Sequence, residues 1–216
     1  LYSARIIPSR GSSLDFEFDP KDILYVRIDR RRKLPVTVLL RALGYNTEEI
    51  LKMFFSKNNY QIVEGQFVLD LIPERLHGEI AAFDIKDQSG KLIVEEGRRI
   101  TIRHTKLIQK AKITKLTVSS DYLVGRTLAD AVIDKETGEV LYEPNTEITP
   151  DVLDVFLEQK IPGFKTLFIN DLDHGPYISN SLRADNSNSP LEALVESYRI
   201  MRPGEPPTKE VAENLF

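Results

Sequence analysis

The 216-residue chain contains no cysteine and no tryptophan, and it has only three histidines. The absence of cysteine excludes disulfide bonds, cysteine-ligated zinc, iron–sulfur clusters and thiol nucleophiles, and it fits a reducing compartment such as the cytoplasm. No apolar run approaches the ~18 residues that a membrane span requires, and the first residues do not resemble a signal peptide. The sequence therefore predicts neither a disulfide scaffold nor a membrane protein.

The charged residues are distributed unevenly along the chain. The formal net charge is −4, but residues 1–55 carry +3, residues 56–169 carry −3 and residues 170–216 carry −4. Hydrophobic residues make up 41% of the chain, which predicts a folded core rather than disorder. Because the chain as a whole is acidic, any contact with nucleic acid must be local.

The first 55 residues contain the patterns of a hairpin and two helices. Residues 14–29 alternate between apolar and polar side chains on either side of a turn at Pro20, which predicts a β-hairpin. Pro35 begins a helix that ends before Gly44, and Asn46 caps a second helix. A second hairpin is predicted around Glu64-Gly65.

An internal repeat with an offset of 48 residues follows. Ser89–Glu95 resembles Thr137–Glu143, and Ile100-Thr101 resembles Ile148-Thr149. The two copies, near residues 84–118 and 132–169, each predict turn, strand, short helix and strand. A chance resemblance is the alternative, since glycine turns followed by β-branched strands are common.

These patterns predict an α+β fold with a discontinuous architecture. Residues 1–55 and 170–216 are expected to form one mixed helix and hairpin domain, interrupted by an inserted α+β domain of residues 56–169. The alternative is two domains in series with a tail.

The strongest local signal is the basic run from Arg27 to Lys33, in which five of seven residues are cationic. Arginine and lysine are the residues that contact phosphates, so the run predicts a nucleic-acid contact. The alternative is a solvated turn between a strand and a helix. The run lacks the interleaved aromatic residues of a base-stacking surface.

Residues for catalysis or metal binding are scarce. Asp171, Asp173 and His174 form one weak metal-like motif, but a metal site needs about three converging ligands, and a polar turn is the better interpretation. His77 and His104 have no serine or paired carboxylate at a telling spacing. We therefore expect no catalytic residue, no metal and no cofactor within this chain.

Several long motifs resemble the β subunit of bacterial DNA-directed RNA polymerase. They are Ser9–Asp19, Arg30–Pro35, Asn170–Ser179 and Tyr198–Thr208. Residues 56–169 resemble the insertion that proteobacterial β subunits carry in this lobe.

The resemblance implies a non-catalytic part of a nucleotidyltransferase, located in the cytoplasm and associated with the nucleoid. The lobe would line the DNA cleft and contact the downstream duplex and the non-template strand. DNA contacts are implied for Arg30, Arg31, Arg32, Asp29 and Arg202, with Asp29 either orienting an arginine or accepting from a cytosine. The implied partners are the α, β′, ω and σ subunits, and regulatory factors at the insertion. The catalytic Mg²⁺ would be held by β′.

Three serines depart from the family pattern. The family usually has tryptophan at Ser13, where it stacks on a base at the fork, and a serine cannot make that contact. It usually has tyrosine at Ser9 and an aliphatic residue at Ser197. The three differences together indicate surface engineering of an excised fragment, with natural variation as the alternative. A standalone protein-interaction module without DNA contact is the alternative function, because the repeat and the net negative charge also fit it.

Overall fold

The structure, a computed structural model, describes residues 2–215. Helices and small antiparallel sheets alternate along the chain, which confirms the predicted α+β class. The chain separates into two compact units: residues 1–54 with 176–216, and residues 55–175. The first unit is therefore assembled from both ends of the sequence. Within residues 2–215, no helix has both the length and the apolar character that crossing a membrane takes.

The first unit contains a four-stranded antiparallel sheet whose strands lie side by side in the order of the sequence. Its strands are β1 (Ser3–Ile6), β2 (Leu14–Phe18), β3 (Leu24–Ile28) and β4 (Leu34–Pro35). In the predicted β2–β3 hairpin, Leu14 pairs with Ile28 and Phe18 pairs with Leu24. The sequence did not reveal β1, because all four of its residues are exposed and no apolar periodicity marks it.

The described part of the first unit also contains five helices. They are α1 (Val36–Ala42), α2 (Thr47–Phe54), α6 (Tyr177–Ala184), α7 (Pro190–Met201) and α8 (Lys209–Glu213). Asn46 Oδ1 accepts a hydrogen bond from Glu49 N at 2.8 Å, so α2 has the predicted cap. Helix α6 packs on the hairpin, where Ser181 Oγ accepts from Leu24 N at 2.9 Å and the Tyr177 ring lies 4.8 Å from the Phe18 ring.

The second unit is built on another four-stranded antiparallel sheet. Its strands are β5 (Lys57–Val63), β6 (Gln66–Asp70), β9 (Lys115–Val118) and β12 (Gly163–Leu167), in the order β12-β5-β6-β9. Two short hairpins lie outside this sheet, β7 (Ile85–Lys86) with β8 (Leu92–Val94), and β10 (Val132–Ile133) with β11 (Val140–Tyr142). The helices are α3 (Ile102–Lys110), α4 (Ser120–Leu123) and α5 (Pro150–Glu158), with a 3-10 turn at Pro73–Leu76.

The two copies of the repeat make matching backbone hydrogen bonds in the second unit. Ile100 N donates to Glu79 O at 2.8 Å, and Ile148 N donates to Arg126 O at 2.7 Å. Thr101 and Thr149 cap α3 and α5 with their side chains. The short hairpin and the helix that follows it therefore occur twice, once before β9 and once before β12.

A candidate nucleic-acid interface

The basic turn, residues 29–33, connects β3 to β4. Arg31 N donates to Ile28 O at 3.1 Å, and Asp29 and Arg30 have φ angles of 50° and 59°. Two successive residues in the left-handed region are typical of a type I′ turn. Aspartate tolerates this region better than most residues, whereas holding Arg30 there costs about 1–2 kcal/mol. Other contacts must therefore stabilise the turn.

Asp29 holds one side of the basic turn against the loop between β1 and β2. Its carboxylate accepts hydrogen bonds from Ser12 Oγ at 2.7 Å and from Ser13 N at 2.9 Å, and its own N–H donates to Ser13 O at 3.0 Å. These hydrogen bonds go to serines rather than to an arginine, which differs from the expectation that Asp29 orients an arginine. The Asp29 carboxylate thus shapes the backbone that carries the arginines.

Arg27 braces the other side of the turn. Its Nη1 donates to Arg31 O at 3.1 Å, and its Nη2 lies 3.1 Å from Glu17 Oε1. A hollow of about 610 Å³ beside the turn is lined by Arg27, Glu17, Arg30 and the Arg5–Asp15 ion pair, among others. Arg5 and Arg27 are each paired with a carboxylate there, so Arg30 supplies the hollow's excess positive charge.

Arg30, Arg31 and Arg32 form a cluster of positive charge at the surface. All three residues are exposed, and within residues 2–215 none of the three guanidinium groups forms an ion pair or a hydrogen bond. Lys33 differs, because its Nζ lies 4.2 Å from the centre of the Tyr25 ring. Three unpaired guanidinium groups on a braced turn suit phosphate oxygens, which arginine binds through bidentate hydrogen bonds.

Arg202 lies at the C-terminal end of α7, where its backbone and side chain contact nearby residues. Its N–H donates to Tyr198 O at 2.8 Å, and its Nη1 lies 3.9 Å from Glu205 Oε2. The Tyr198 hydroxyl donates to the same Glu205 carboxylate at 2.6 Å, and this hydrogen bond raises the pKa of Tyr198. In the described part of the chain, no hydrogen bond or ion pair joins Arg202 to the basic turn.

The three serines that depart from the family pattern lie in different environments. Ser9 is exposed and Ser13 is half-buried, and Ser13 contributes its backbone to the Asp29 contact. Ser197 is fully buried on α7, where its Oγ donates to Ala193 O at 2.8 Å. The expectation of a surface position is therefore wrong for Ser197, because its place on the helix faces the core.

The motif of Asp171, Asp173 and His174 forms a polar turn organised by Asn170. Asn170 Oδ1 accepts hydrogen bonds from the N–H groups of Leu172, Asp173 and His174, a typical use of an Asn side chain. The hydrogen bond with His174 Nδ1, at 2.6 Å, lowers the pKa of the Asp173 carboxyl. Residues 2–215 bring no three His, Cys, Asp or Glu side chains together as metal ligands.

Sequence reasoning missed the two braces of the basic turn. Ser12 and Ser13 precede β2 and carry no signal of a distant partner, because a serine next to a glycine is typical of any loop. Arg27 and Glu17 lie two positions off direct register, since Glu17 pairs with Tyr25 and Asp15 pairs with Arg27. Their diagonal contact follows from knowing the register, which the sequence alone did not establish.

Part of the chain is similar to a known protein family. Residues 1–70 match the family described as RNA polymerase Rpb2, domain 2. The matched range contains the basic turn and continues through β6, beyond the predicted boundary after residue 55. The match supports a fragment of an RNA polymerase β-type subunit.

Proposed function

We propose that this chain is a bacterial polymerase β-subunit lobe that positions DNA, and that its basic turn contacts phosphates near the non-template strand. The single observation that carries this proposal is the braced turn with three unpaired guanidinium groups, because it lies within the range that matches the polymerase family. Arg30, Arg31 and Arg32 would contact DNA directly, and Asp29 and Arg27 would act as positioning residues.

The role of the lobe is positional rather than catalytic. Phosphoryl transfer would take place at Mg²⁺ held by another subunit, while the arginines neutralise phosphates and release counterions from DNA. A serine at position 13 offers no ring for a base to stack on, so DNA binding at this lobe would depend on phosphate contacts more than in a subunit with an aromatic residue there. We propose Arg202 as a further contact in the same cleft, reached once DNA competes with Glu205 for its guanidinium.

The second unit, residues 55–175, is proposed to dock regulatory protein factors. Its charge balance does not favour DNA, since residues 56–169 are acidic overall. Its duplicated arrangement of hairpin and helix offers two similar surfaces instead.

The DNA contact is tested by replacing Arg30, Arg31 and Arg32 with alanine in the full-length subunit assembled into polymerase. Each lost phosphate contact should reduce the slope of log affinity against log salt by about 0.9, so we expect a shorter promoter-complex lifetime and a slope shallower by about 1–3. The matched control replaces three exposed cations of α3, Arg103, Lys106 and Lys110, with alanine. Lifetime and slope unchanged in the first variant, or changed equally in both, would contradict the proposal.

A further inference from the structure

Helices α3 and α5 occupy equivalent places in the repeat but carry opposite charges. At three positions related by the offset of 48 residues, a cation on α3 corresponds to an acid on α5: Arg103 and Asp151, Lys106 and Asp154, Lys110 and Glu158. All six residues are exposed. Because the charges are inverted between the two helices, α3 suits a negatively charged partner and α5 does not.

The sequence around α3 is rich in positive charge, and most of these cations form no ion pair within residues 2–215. Residues 97–116 contain seven Lys or Arg and no Asp or Glu. Within the residues that the structure describes, Arg98 pairs with Glu95 and Lys115 with Asp70, whereas the three α3 cations Arg103, Lys106 and Lys110 form no ion pair. Like charges held close together on a helix repel one another by a few tenths of a kcal/mol per pair, about what an opposite pair would gain, so an acidic partner would relieve this repulsion.

A groove with an apolar floor lies beside these cations. It has a volume of about 320 Å³ and runs between the β7–β8 hairpin and α3. Leu92, Ile93 and Leu107 supply its apolar surface, and its charged lining is two cations, Lys91 and Lys110, and one acid, Asp87. Leu92 and Leu107 are 45% and 41% exposed. Exposed aliphatic side chains between cations fit the aliphatic anchors of a protein segment. They offer nothing to a nucleic acid, whose bases stack on aromatic rings.

We propose that the groove between α3 and the β7–β8 hairpin binds an acidic amphipathic helix of a partner protein. Leu92 and Leu107 receive the aliphatic anchors of that helix, and Arg103, Lys106 and Lys110 pair with its carboxylates. Such a helix places anchors three and four residues apart along one face and acids on the flanks. This inference rests on the docking role proposed for the second unit and names the surface and the partner's chemistry.

The test uses the whole 216-residue chain and a fluorescent 18-residue probe. The probe has leucines spaced three and four residues apart and glutamates at the flanking positions, and its control replaces every glutamate with lysine. We expect the glutamate peptide to bind with a salt-dependent affinity and to shift the NMR signals of Leu92, Ile93 and Leu107. Leu107→Asn and Lys110→Glu should each weaken binding at least about tenfold, whereas Leu157→Asn on α5, where Leu157 is 38% exposed, should leave it unchanged.

Several outcomes would overturn the inference. They are equal binding of both peptides, no binding of the glutamate peptide up to millimolar concentration, and signal shifts away from the groove. Displacement of the peptide by duplex DNA would assign the surface to nucleic acid, and self-association abolished by Lys110→Glu would assign it to the acidic α5 of a second copy. The peptide assay leaves the basic turn unchanged, and the DNA contact is tested by replacing Arg30, Arg31 and Arg32, so failure here stays distinguishable from failure of the DNA contact.

Discussion

At the scale of single residues, the molecule uses charged side chains to hold backbone as much as to face a partner. The Asp29 carboxylate accepts hydrogen bonds from Ser12 and Ser13, and the Arg27 guanidinium donates to Glu17 and to the backbone of the turn. These contacts brace the turn in which Arg30 lies in the left-handed region. Within residues 2–215, the guanidinium groups of Arg30, Arg31 and Arg32 have no partner. The positioning residues and the proposed DNA-contacting residues are therefore adjacent in sequence but separate in role.

Asp29→Ala should destabilise the first unit by about 1–2 kcal/mol, because two side-chain hydrogen bonds are lost and alanine tolerates the left-handed region poorly. Asp29→Asn is the matched control, since asparagine keeps one acceptor oxygen and tolerates this region, and it should cost less. Urea unfolding of both variants measures the difference. Equal stability of the alanine variant and the parent chain would rule out the bracing role, and a changed base preference in the polymerase would instead indicate direct readout by Asp29.

At the scale of elements, the sheet of the second unit depends on a close approach of two backbones. Gly163 on β12 pairs with Gln61 on β5, and a Cβ atom at Gly163 would lie 2.5 Å from Tyr60 O. A side chain cannot be accommodated there without moving the main chain of β5. Glycine is needed for space rather than for a special φ angle.

Gly163→Ala should therefore cost about 1–3 kcal/mol, the usual penalty of overpacking. The measurement is the midpoint of denaturant unfolding, together with amide exchange in β5 and β12. Lys165→Ala, at an exposed position on the same strand, is the control and should change stability by no more than about 0.5 kcal/mol. A neutral Gly163→Ala would show that β12 can shift away from β5 without loss of pairing.

At the scale of the whole molecule, the first unit must join two segments that are far apart in sequence. Asp185, from the second segment, has a fully buried carboxylate. It accepts hydrogen bonds from Thr37 Oγ1 at 2.9 Å, 148 residues away, from Arg41 Nε at 3.1 Å and from Ser187 N at 2.8 Å. A buried carboxylate needs all of these partners, since burial of an unpaired charge is costly.

Removal of the Asp185 carboxylate should destabilise the first unit selectively. Asp185→Ala leaves Arg41 without its carboxylate, and breaking a buried ion pair in this way typically costs about 3–5 kcal/mol. We expect amide protection to fall in residues 1–54 and 176–216 while residues 55–175 keep theirs. Asp185→Asn, which retains an acceptor for Thr37, should cause an intermediate loss of amide protection in the first unit. Equal loss of amide protection in both units would contradict the local role of the Asp185 contacts.

Much of the local structure was predictable because its signals are local. Alternation predicted the β2–β3 hairpin, Asn46 predicted a helix cap, and a constant offset predicted equivalent segments. The inverted charges of α3 and α5 were also within reach, because the same offset aligns Arg103 with Asp151. Helix α6 was missed, since its polar residues Ser179 and Ser181 are buried and obscure the apolar period.

The sequence by itself determined where charge and several turns lie: the basic run, the acidic balance of the remainder, and the ends of some helices and strands. Only the tertiary structure decided which charges remain free. Contacts such as Asp29 with Ser12 or Thr37 with Asp185 join residues that no local pattern relates. Backbone propensities act over a few residues, whereas these pairings depend on how the whole chain folds back on itself. The same long-range folding removes Ser197 from solvent and leaves Arg30, Arg31 and Arg32 exposed.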